Sequence, residues 1–133
     1  MTSVVDKVAW IHIVDKRVLS TRSKGKDTYY FPGGKREAGE SDQECLMREV
    51  REELEVALVT DSLEYLGVFE AQAHGKNAGV LVRMPCYTGQ YQGALSTASE
   101  IEEMAWLTFA DRHKSSPVDQ LIFAWLKERD LID

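Results

Sequence analysis

The sequence predicts an α/β (α+β) sandwich, because short apolar segments typical of strands are combined with two segments of helical periodicity. One helical segment is central and begins at Ser41, and the other is terminal and begins at Pro117. The strand-like segments lie before, between and after them. The 133 residues contain no repeat, linker or low-complexity tract. A single domain over residues 1–133 is therefore predicted, large enough to bury a core.

The strand-like segments are short and are separated by turn residues. An Asp15-Lys16 turn joins the first two segments, which predicts a β-hairpin. Pro32 and the two glycines after it end another short strand. In chain order, the predicted strands are 8–14, 17–21, 29–31, 56–59, 63–71, 78–87 and 104–107. The predicted loops include 23–28, 72–77 and 88–99.

Both helices have recognisable start signals. The Ser41 hydroxyl can cap the first turn of the central helix, and Glu44 three residues later completes a capping box. This helix is predicted to run to about Leu54. The terminal helix follows Ser115-Ser116 and has Pro117 at its first helical position. Apolar side chains at helical spacing continue from there, which predicts a helix to the end of the chain.

Charge and cysteine content narrow the functional classes. The net charge is -6 and the pI is near 5.1, which argues against a protein that binds duplex nucleic acid. An anionic small molecule would need local Lys or Arg side chains or a metal ion. The first sixteen residues carry charges at both ends of a short apolar run, so neither a signal peptide nor a membrane span is predicted. Cys45 and Cys86 form no metal-binding or redox spacing, and the predicted location is the cytoplasm.

The segment from Pro32 to Val56 contains seven glutamates and three arginines. On a helical wheel, its apolar side chains share an arc of about 100°, which is a core face. Glu49, Glu52 and Glu53 share another arc of about 100°. Like charges at this spacing destabilise a helix by a few tenths of a kcal/mol each, and a hard divalent cation such as Mg²⁺ reverses that cost. The alternative is a solvated face on which arginines pair with neighbouring glutamates.

The residues before the helix extend this pattern into a longer motif. From Gly34 the chain has five residues, Glu40, seven residues, and then Arg48-Glu49-Val50-Arg51-Glu52-Glu53. This spacing resembles the Nudix box, Gly-x5-Glu-x7-Arg-Glu-apolar-x-Glu-Glu-x-Gly-apolar. The matching residues are Gly34, Glu40, Arg48, Glu49, Val50, Glu52, Glu53 and Val56. From average residue usage, the six key polar and glycine matches arise by chance on the order of 10⁻⁶ to 10⁻⁵ across the chain.

One box position departs from the family pattern. Glu55 stands where the box has its last glycine. A glycine there tolerates a left-handed backbone, which costs another residue about 1 kcal/mol. Either the helix ends differently in this chain or the strain is accepted.

The resemblance covers nearly the whole chain and implies a MutT-like Nudix hydrolase. It implies a central mixed sheet between helices, an α/β/α sandwich, and hydrolysis of a nucleoside diphosphate linked to another group. It also implies a Mg²⁺ or Mn²⁺ cofactor held by Glu49, Glu52, Glu53 and the backbone carbonyl of Gly33. Arg48 would then orient Glu49.

Other roles implied by the resemblance are less fixed. Gly34 lets the backbone turn sharply, and Glu40 either supports the loop before the helix or reaches an outer metal. A glutamate would take the proton of the attacking water. Glu53 is one candidate for this base, and Glu100 and Glu103 are the others.

Candidate substrate-binding residues lie outside the box. The basic candidates for phosphate contacts are Arg22, Lys24, Lys26 and Lys35, with solvated surface charges as the alternative. His74 lies in a loop expected to border the site. Tyr29, Phe69 and Tyr87 are candidates to stack against a base.

The substrate is inferred by comparing subfamily signatures. The proline typical of ADP-ribose hydrolases is replaced by Ala71 and Gln72, and the tyrosine typical of diadenosine polyphosphate hydrolases by Ala73. The compact chain is more similar to MutT-type enzymes, which predicts hydrolysis of a (d)NTP, oxidised or not, to the monophosphate and pyrophosphate. The alternatives are a nucleotide-sugar or dinucleotide pyrophosphatase and a non-catalytic nucleotide-sensing module. A homodimer is left open.

Overall fold

The computed structural model describes residues 3–76 and 78–133. Within these ranges the chain forms ten β-strands, two α-helices and two short 3-10 helices. The strands are β1 (Ser3–Trp10), β2 (Ile13–Val14), β3 (Arg17–Ser23), β4 (Tyr29–Tyr30), β5 (Gly33–Lys35), β6 (Ala57–Leu58), β7 (Glu64–Gln72), β8 (Val80–Thr88), β9 (Tyr91–Gln92) and β10 (Ile101–Leu107). The α-helices are α1 (Asp42–Leu54) and α2 (Pro117–Glu128), and the 3-10 helices span Thr60–Ser62 and Phe109–Lys114. Residues 1–2 of the predicted domain and Asn77 of the predicted loop 72–77 lie outside the described residues.

The central sheet is mixed, as the resemblance implied. Its strand order is β5-β1-β8-β7, with β1 parallel to β8 and the other pairs antiparallel. A second sheet has the order β10-β3-β2, with β4 also paired to β3, and β6 pairs with β9. Among the described residues, no helix is both long and apolar enough to cross a membrane.

Alternation along β1 places its side chains in two separate cores. Val8 and Trp10 pack with the apolar face of α1, whereas Ala9 and Ile11 pack with the apolar face of α2. Because successive side chains of a strand point to opposite faces, the central sheet lies between the two helices. The predicted α/β/α sandwich is confirmed.

The predicted hairpin forms, but its first strand is shorter than expected. Asp15 and Lys16 both have positive φ, 52° and 61°, and join β2 to β3 in a tight turn. The single predicted strand over 8–14 is wrong, because the chain leaves one sheet and enters the other at Ile11 and His12. The Ile11 N–H still bonds to the Tyr87 carbonyl at 2.8 Å, whereas the His12 carbonyl accepts the Leu19 N–H at 2.9 Å.

The sequence did not predict β5, because glycines usually end strands. Here Gly33 allows close approach to the neighbouring strand. A Cβ at Gly33 would lie 2.0 Å from the Val8 carbonyl oxygen, and its φ is 139°. The two glycines therefore extend the central sheet to the start of the motif.

The helix start signals have the expected outcomes. The Ser41 hydroxyl accepts the Glu44 N–H at 3.1 Å, and the Glu44 carboxylate accepts the Ser41 N–H at 2.9 Å. This capping box fixes the first turn of α1. In α2, Pro117 occupies the first turn, but the helix ends at Glu128, before the predicted end of the chain.

The end of α1 contains backbone strain. Glu55 has φ 59° and ψ 28°, the left-handed conformation, and its N–H donates to the Arg51 carbonyl at 3.0 Å. The helix therefore ends as it would with glycine at this position, and the chain accepts the cost of a side chain there.

Replacing Glu55 with glycine is expected to raise the free energy of unfolding by about 1 kcal/mol, because glycine adopts this conformation without strain. Urea denaturation followed by circular dichroism measures the change. The matched control is Arg51→Gly, which places glycine in the exposed helix interior and should cost about 1 kcal/mol. Equal destabilisation by both substitutions would contradict the strain argument.

Candidate functional site

A cavity of about 430 Å³ is lined by residues of both helices and of both four-stranded sheets. Its lining comes from β1, β3, β4, β5, β7, β8 and β10, from α1 and α2, and from short segments that connect these elements. Its size is typical of a small-molecule site. One part is lined by carboxylates and backbone, and another by apolar and aromatic side chains.

The carboxylate part is formed by α1 against β5. Glu49 and Glu53 line the cavity, and the Gly33 N–H donates to Glu53 Oε1 at 3.0 Å. Gly34 makes this packing possible, because a Cβ there would lie 2.5 Å from the Glu49 carboxylate carbon. Burial raises the pKa of Glu49, and it raises the pKa of Glu53 to about 8, with the charges of Glu49 and Glu100 adding to the effect.

Arg48 connects this carboxylate cluster to the loop before α1. Its guanidinium holds Glu40 through two bonds, Nε to Oε2 at 2.7 Å and Nη2 to Oε1 at 2.9 Å. It also donates to Glu49 Oε1 at 2.9 Å and to the Lys35 carbonyl at 3.1 Å. The Arg48 guanidinium lowers the pKa of Glu40 to about 2. The arrangement is consistent with the predicted orienting role of Arg48, and Glu40 also accepts the Glu37 N–H at 2.8 Å within the loop before α1.

The metal-ligand set predicted from the motif is only partly assembled. Glu52 is 55% exposed and lies 3.5 Å from Arg48 Nη1, and Glu49 is also paired with Arg48. Among the described residues, no group of three or more His, Cys, Asp or Glu side chains is arranged to hold a metal ion. The donors nevertheless suit a hard divalent cation, since they are all oxygens. Burial and the neighbouring carboxylates raise the pKa of Glu53, and a cation bound there would favour its ionised form.

The two later candidates for the general base have different surroundings. Glu100 lines the cavity. Glu103 is outside the described lining and is bound on the β10 surface, where it accepts from Arg22 Nε at 3.1 Å and from the Tyr29 hydroxyl. The geometry therefore favours Glu100 over Glu103 as a neighbour of the reacting groups.

The residues predicted to contact the phosphates or the nucleobase also fall into two groups, those that line the cavity and those that do not. Lys35 and His74 line the cavity, and His74 Nε2 lies 3.2 Å from the Thr28 hydroxyl. Arg22 already pairs with Glu102 and Glu103, so its charge is compensated. The remaining candidates, Lys24, Lys26, Tyr29, Phe69 and Tyr87, are not among the described residues that line the cavity.

Several lining residues were not singled out by the sequence analysis. Tyr30 and Phe31 provide the aromatic surface, and Met84 extends it. Asp119, on the first turn of α2, is 1% exposed and accepts the Phe31 N–H at 2.9 Å. Burial raises the pKa of Asp119 to about 7. Lys7 also lines the cavity; its place on a face of β1 otherwise occupied by apolar residues was an available signal.

Comparison with known proteins agrees with this geometry. The NUDIX domain profile matches residues 5–126. The E. coli ORF135 protein is similar in structure, with a TM-score of 0.73 and 24% identity, over 95% of this chain and 92% of that chain. The MutT protein from Methanosarcina mazei Go1 has a TM-score of 0.75 and 19% identity, over 97% and 96% of the two chains. The MutT NUDIX hydrolase from Burkholderia pseudomallei has a TM-score of 0.66 and 23% identity, over 81% and 85%. No curated protein matches the sequence.

The buried Asp119 carboxyl predicts a pH dependence of stability. Its folded pKa of about 7 lies above the unfolded value of 3.8, so the folded state binds more protons between these values. Stability therefore falls as pH rises through this window, and Asp119 alone should remove about 2 to 3 kcal/mol between pH 5 and pH 8. Chemical denaturation at the two pH values measures the loss.

Asp119→Asn is the matched comparison, because asparagine keeps an oxygen acceptor for the Phe31 N–H. All other titrating groups are common to the two proteins. The wild type should lose more stability than the variant between the two pH values. Parallel pH profiles would show that Asp119 does not titrate in this range.

Proposed function

Because the chain belongs to the Nudix hydrolase family and is a pyrophosphohydrolase of nucleoside diphosphate-linked substrates, we propose that it hydrolyses a (d)NTP to the monophosphate and pyrophosphate. The observation that carries this proposal is the composition of the cavity. The same cavity contains the motif carboxylates Glu49 and Glu53 and an apolar, aromatic part that includes Tyr30 and Phe31. A phosphate chain and one base would each find a suitable surface there.

The residues proposed to hold Mg²⁺ or Mn²⁺ are Glu49, Glu52, Glu53 and the Gly33 carbonyl. When bound, a divalent cation supplies charge neutralisation of the phosphates and lowers the pKa of water. The carboxylates alone would repel a polyphosphate, so their placement in a nucleotide cavity is consistent with a cation-dependent reaction.

The chemical step requires a proton acceptor. Water attacks phosphorus, the bond to the leaving pyrophosphate breaks, and a carboxylate takes the proton of the water. Glu53 is the proposed base, because it lines the cavity beside Glu49 and burial makes its carboxylate more basic than that of an exposed glutamate. Glu100 is the alternative, since it lines the same cavity.

The apolar part of the cavity is proposed to hold the nucleobase of the substrate. Tyr30, Phe31 and Met84 offer surface for stacking and apolar contact. Asp119 Oδ2 accepts the Phe31 N–H at 2.9 Å, and a second carboxyl oxygen is then available for a base N–H. A buried acceptor of this kind discriminates strongly between nucleobases. Binding of a nucleobase that leaves the acceptor unpaired costs the free energy of its desolvation.

The proposed reaction is tested by measuring phosphate and pyrophosphate release from a panel of (d)NTPs, 8-oxo-dGTP, ADP-ribose, nucleotide sugars and dinucleotides. Reactions are run with Mg²⁺ and with a chelator. Turnover of one or more (d)NTPs is expected with Mg²⁺ only, and Glu52→Gln should reduce it. Turnover confined to nucleotide sugars or dinucleotides would instead establish the alternative substrates. Nucleotide binding without any turnover would favour a sensing module.

Glu53→Gln is expected to lower turnover by at least about 100-fold, because the variant has no base at this position. The same change should raise the melting temperature, since it removes an acidic group whose ionised form is disfavoured by burial and keeps an oxygen acceptor for the Gly33 N–H. Steady-state kinetics and thermal denaturation measure the two effects. Glu64→Gln, on an exposed strand position, controls for the loss of one negative charge.

Glu100→Gln and Glu103→Gln separate the remaining candidates for the base. If Glu53 is the base, each variant should retain turnover within about tenfold. A loss at Glu100→Gln that equals the Glu53→Gln loss would transfer the role to Glu100. Glu103→Gln serves as the neighbouring control, because its side chain is held by Arg22 and Tyr29.

A further inference from the structure

Lys7 is a half-buried cation that lies over the ring of Tyr30. Its ammonium nitrogen lies 5.1 Å from the centre of the Tyr30 ring. Among the described residues it has no hydrogen-bond or ion-pair partner. It shares a face of β1 with Ala9 and Ile11, which are buried in the core on the α2 side. An ammonium at such a position costs free energy unless something pairs with it.

A second lysine lies directly beside it. Lys7 is opposite Lys35 in the antiparallel pairing of β1 with β5. Directly opposed residues project from the same face, and both lysines line the cavity. Like charges at this spacing destabilise a sheet, and Lys35 lowers the pKa of Lys7 further below the effect of burial. The ammonium of Lys35 also has no partner among the described residues.

The carboxylates around Lys7 attract it, but none of them contacts its ammonium directly. Asp119, Glu53 and Glu49 are the acidic groups that act on it electrostatically. None of the three forms an ion pair with Lys7 within 4.0 Å. Glu49 is instead paired with Arg48, and Asp119 with the Phe31 N–H. Within the described part of the chain, the two lysines therefore have no direct ion-pair partner.

We propose that Lys7 and Lys35 together bind one phosphate group of the nucleotide, with Lys7 as a phosphate-binding residue on β1 outside the Nudix motif. The inference rests on the proposed function, since it assigns a contact to the same substrate. A phosphate presents several acceptor oxygens and can satisfy two ammonium groups at once. A carbonyl group of the nucleobase would pair with one ammonium group and leave the other ammonium group unpaired.

The geometry has a consequence for binding without metal. Phosphate recognition by carboxylates depends on a cation, whereas recognition by two lysines does not. The protein should therefore bind inorganic pyrophosphate in the presence of a chelator. A nucleoside without phosphate should gain nothing from Lys7.

The test is calorimetric titration of the full chain in chelator with inorganic phosphate, pyrophosphate, the nucleoside monophosphates AMP, GMP, CMP and UMP, and the matching nucleosides. Lys7→Met is expected to weaken pyrophosphate binding by about 10- to 100-fold, as for loss of a charged hydrogen bond. Lys7→Arg keeps the charge and should retain binding within a few-fold. Lys127→Met, an exposed lysine near the end of α2, removes the same charge and should bind as the wild type does.

Three outcomes would overturn the inference. Unchanged pyrophosphate binding by Lys7→Met, with a lowered melting temperature, would show a structural role. Equal weakening of nucleoside and pyrophosphate binding would show that Lys7 contacts the base. Absence of pyrophosphate binding by the wild type in chelator would leave no phosphate site for the lysines. Tighter binding of one monophosphate than of free phosphate would identify the nucleotide as the source of the phosphate group.

A measurement on the wild type makes the test independent of how the variants fold. Lysine side chains labelled with ¹³C at Cε are followed by NMR during the pyrophosphate titration, and Lys7→Arg assigns the Lys7 signal. Both the Lys7 and Lys35 signals should shift, and a shift of Lys35 alone would refute the pair. Turnover with Mg²⁺ tests the proposed function separately, so either proposal can fail while the other stands.

Discussion

The paired hydrogen bonds between Arg48 and Glu40 hold the site together, because they join α1 to the loop that precedes it. The same guanidinium reaches Glu49 and the Lys35 carbonyl, so the helix carboxylate and the end of β5 are held from one point. A planar group with several donors can serve these acceptors simultaneously, which a lysine ammonium does less well. The position of Glu49 beside Gly34 thus depends on a charged network as well as on core packing.

The cavity beside this network has charges of opposite sign on two of its sides. Glu49 and Glu53 contribute negative charge from α1, whereas Lys7 and Lys35 contribute positive charge from two neighbouring strands. The groups do not neutralise one another by direct ion pairs within the described residues. In the proposed complex, a cation would compensate the carboxylates and a phosphate group would compensate the lysines.

The sequence predicted the relative positions of side chains that lie on one element. Glu49, Glu53 and Arg48 lie on a single helix, so their relative positions follow from 3.6 residues per turn. Asp119 and Lys7 could not be placed in this way, because they reach the cavity only when α2 and β1 pack around it. The strand boundaries were hard to predict for the same reason. The pairing partners of a strand, and not its local sequence pattern, decide where β1 ends and β2 begins.

The base candidates Glu100 and Glu103 show how a small irregularity limits prediction. The pairing of β10 with β3 shifts register between Ile101 and Glu103. One residue of slip reverses the face to which later side chains point, so sequence spacing alone does not decide which glutamate reaches the cavity.

The two glycine positions of the motif, occupied here by Gly34 and Glu55, also differ for a physical reason. A side chain at Gly34 would collide with the Glu49 carboxylate, whereas Glu55 bears a left-handed backbone at a cost of about 1 kcal/mol. A clash at Gly34 cannot be relieved without moving the Glu49 carboxylate, but strain at the end of a helix can be compensated by the rest of the fold.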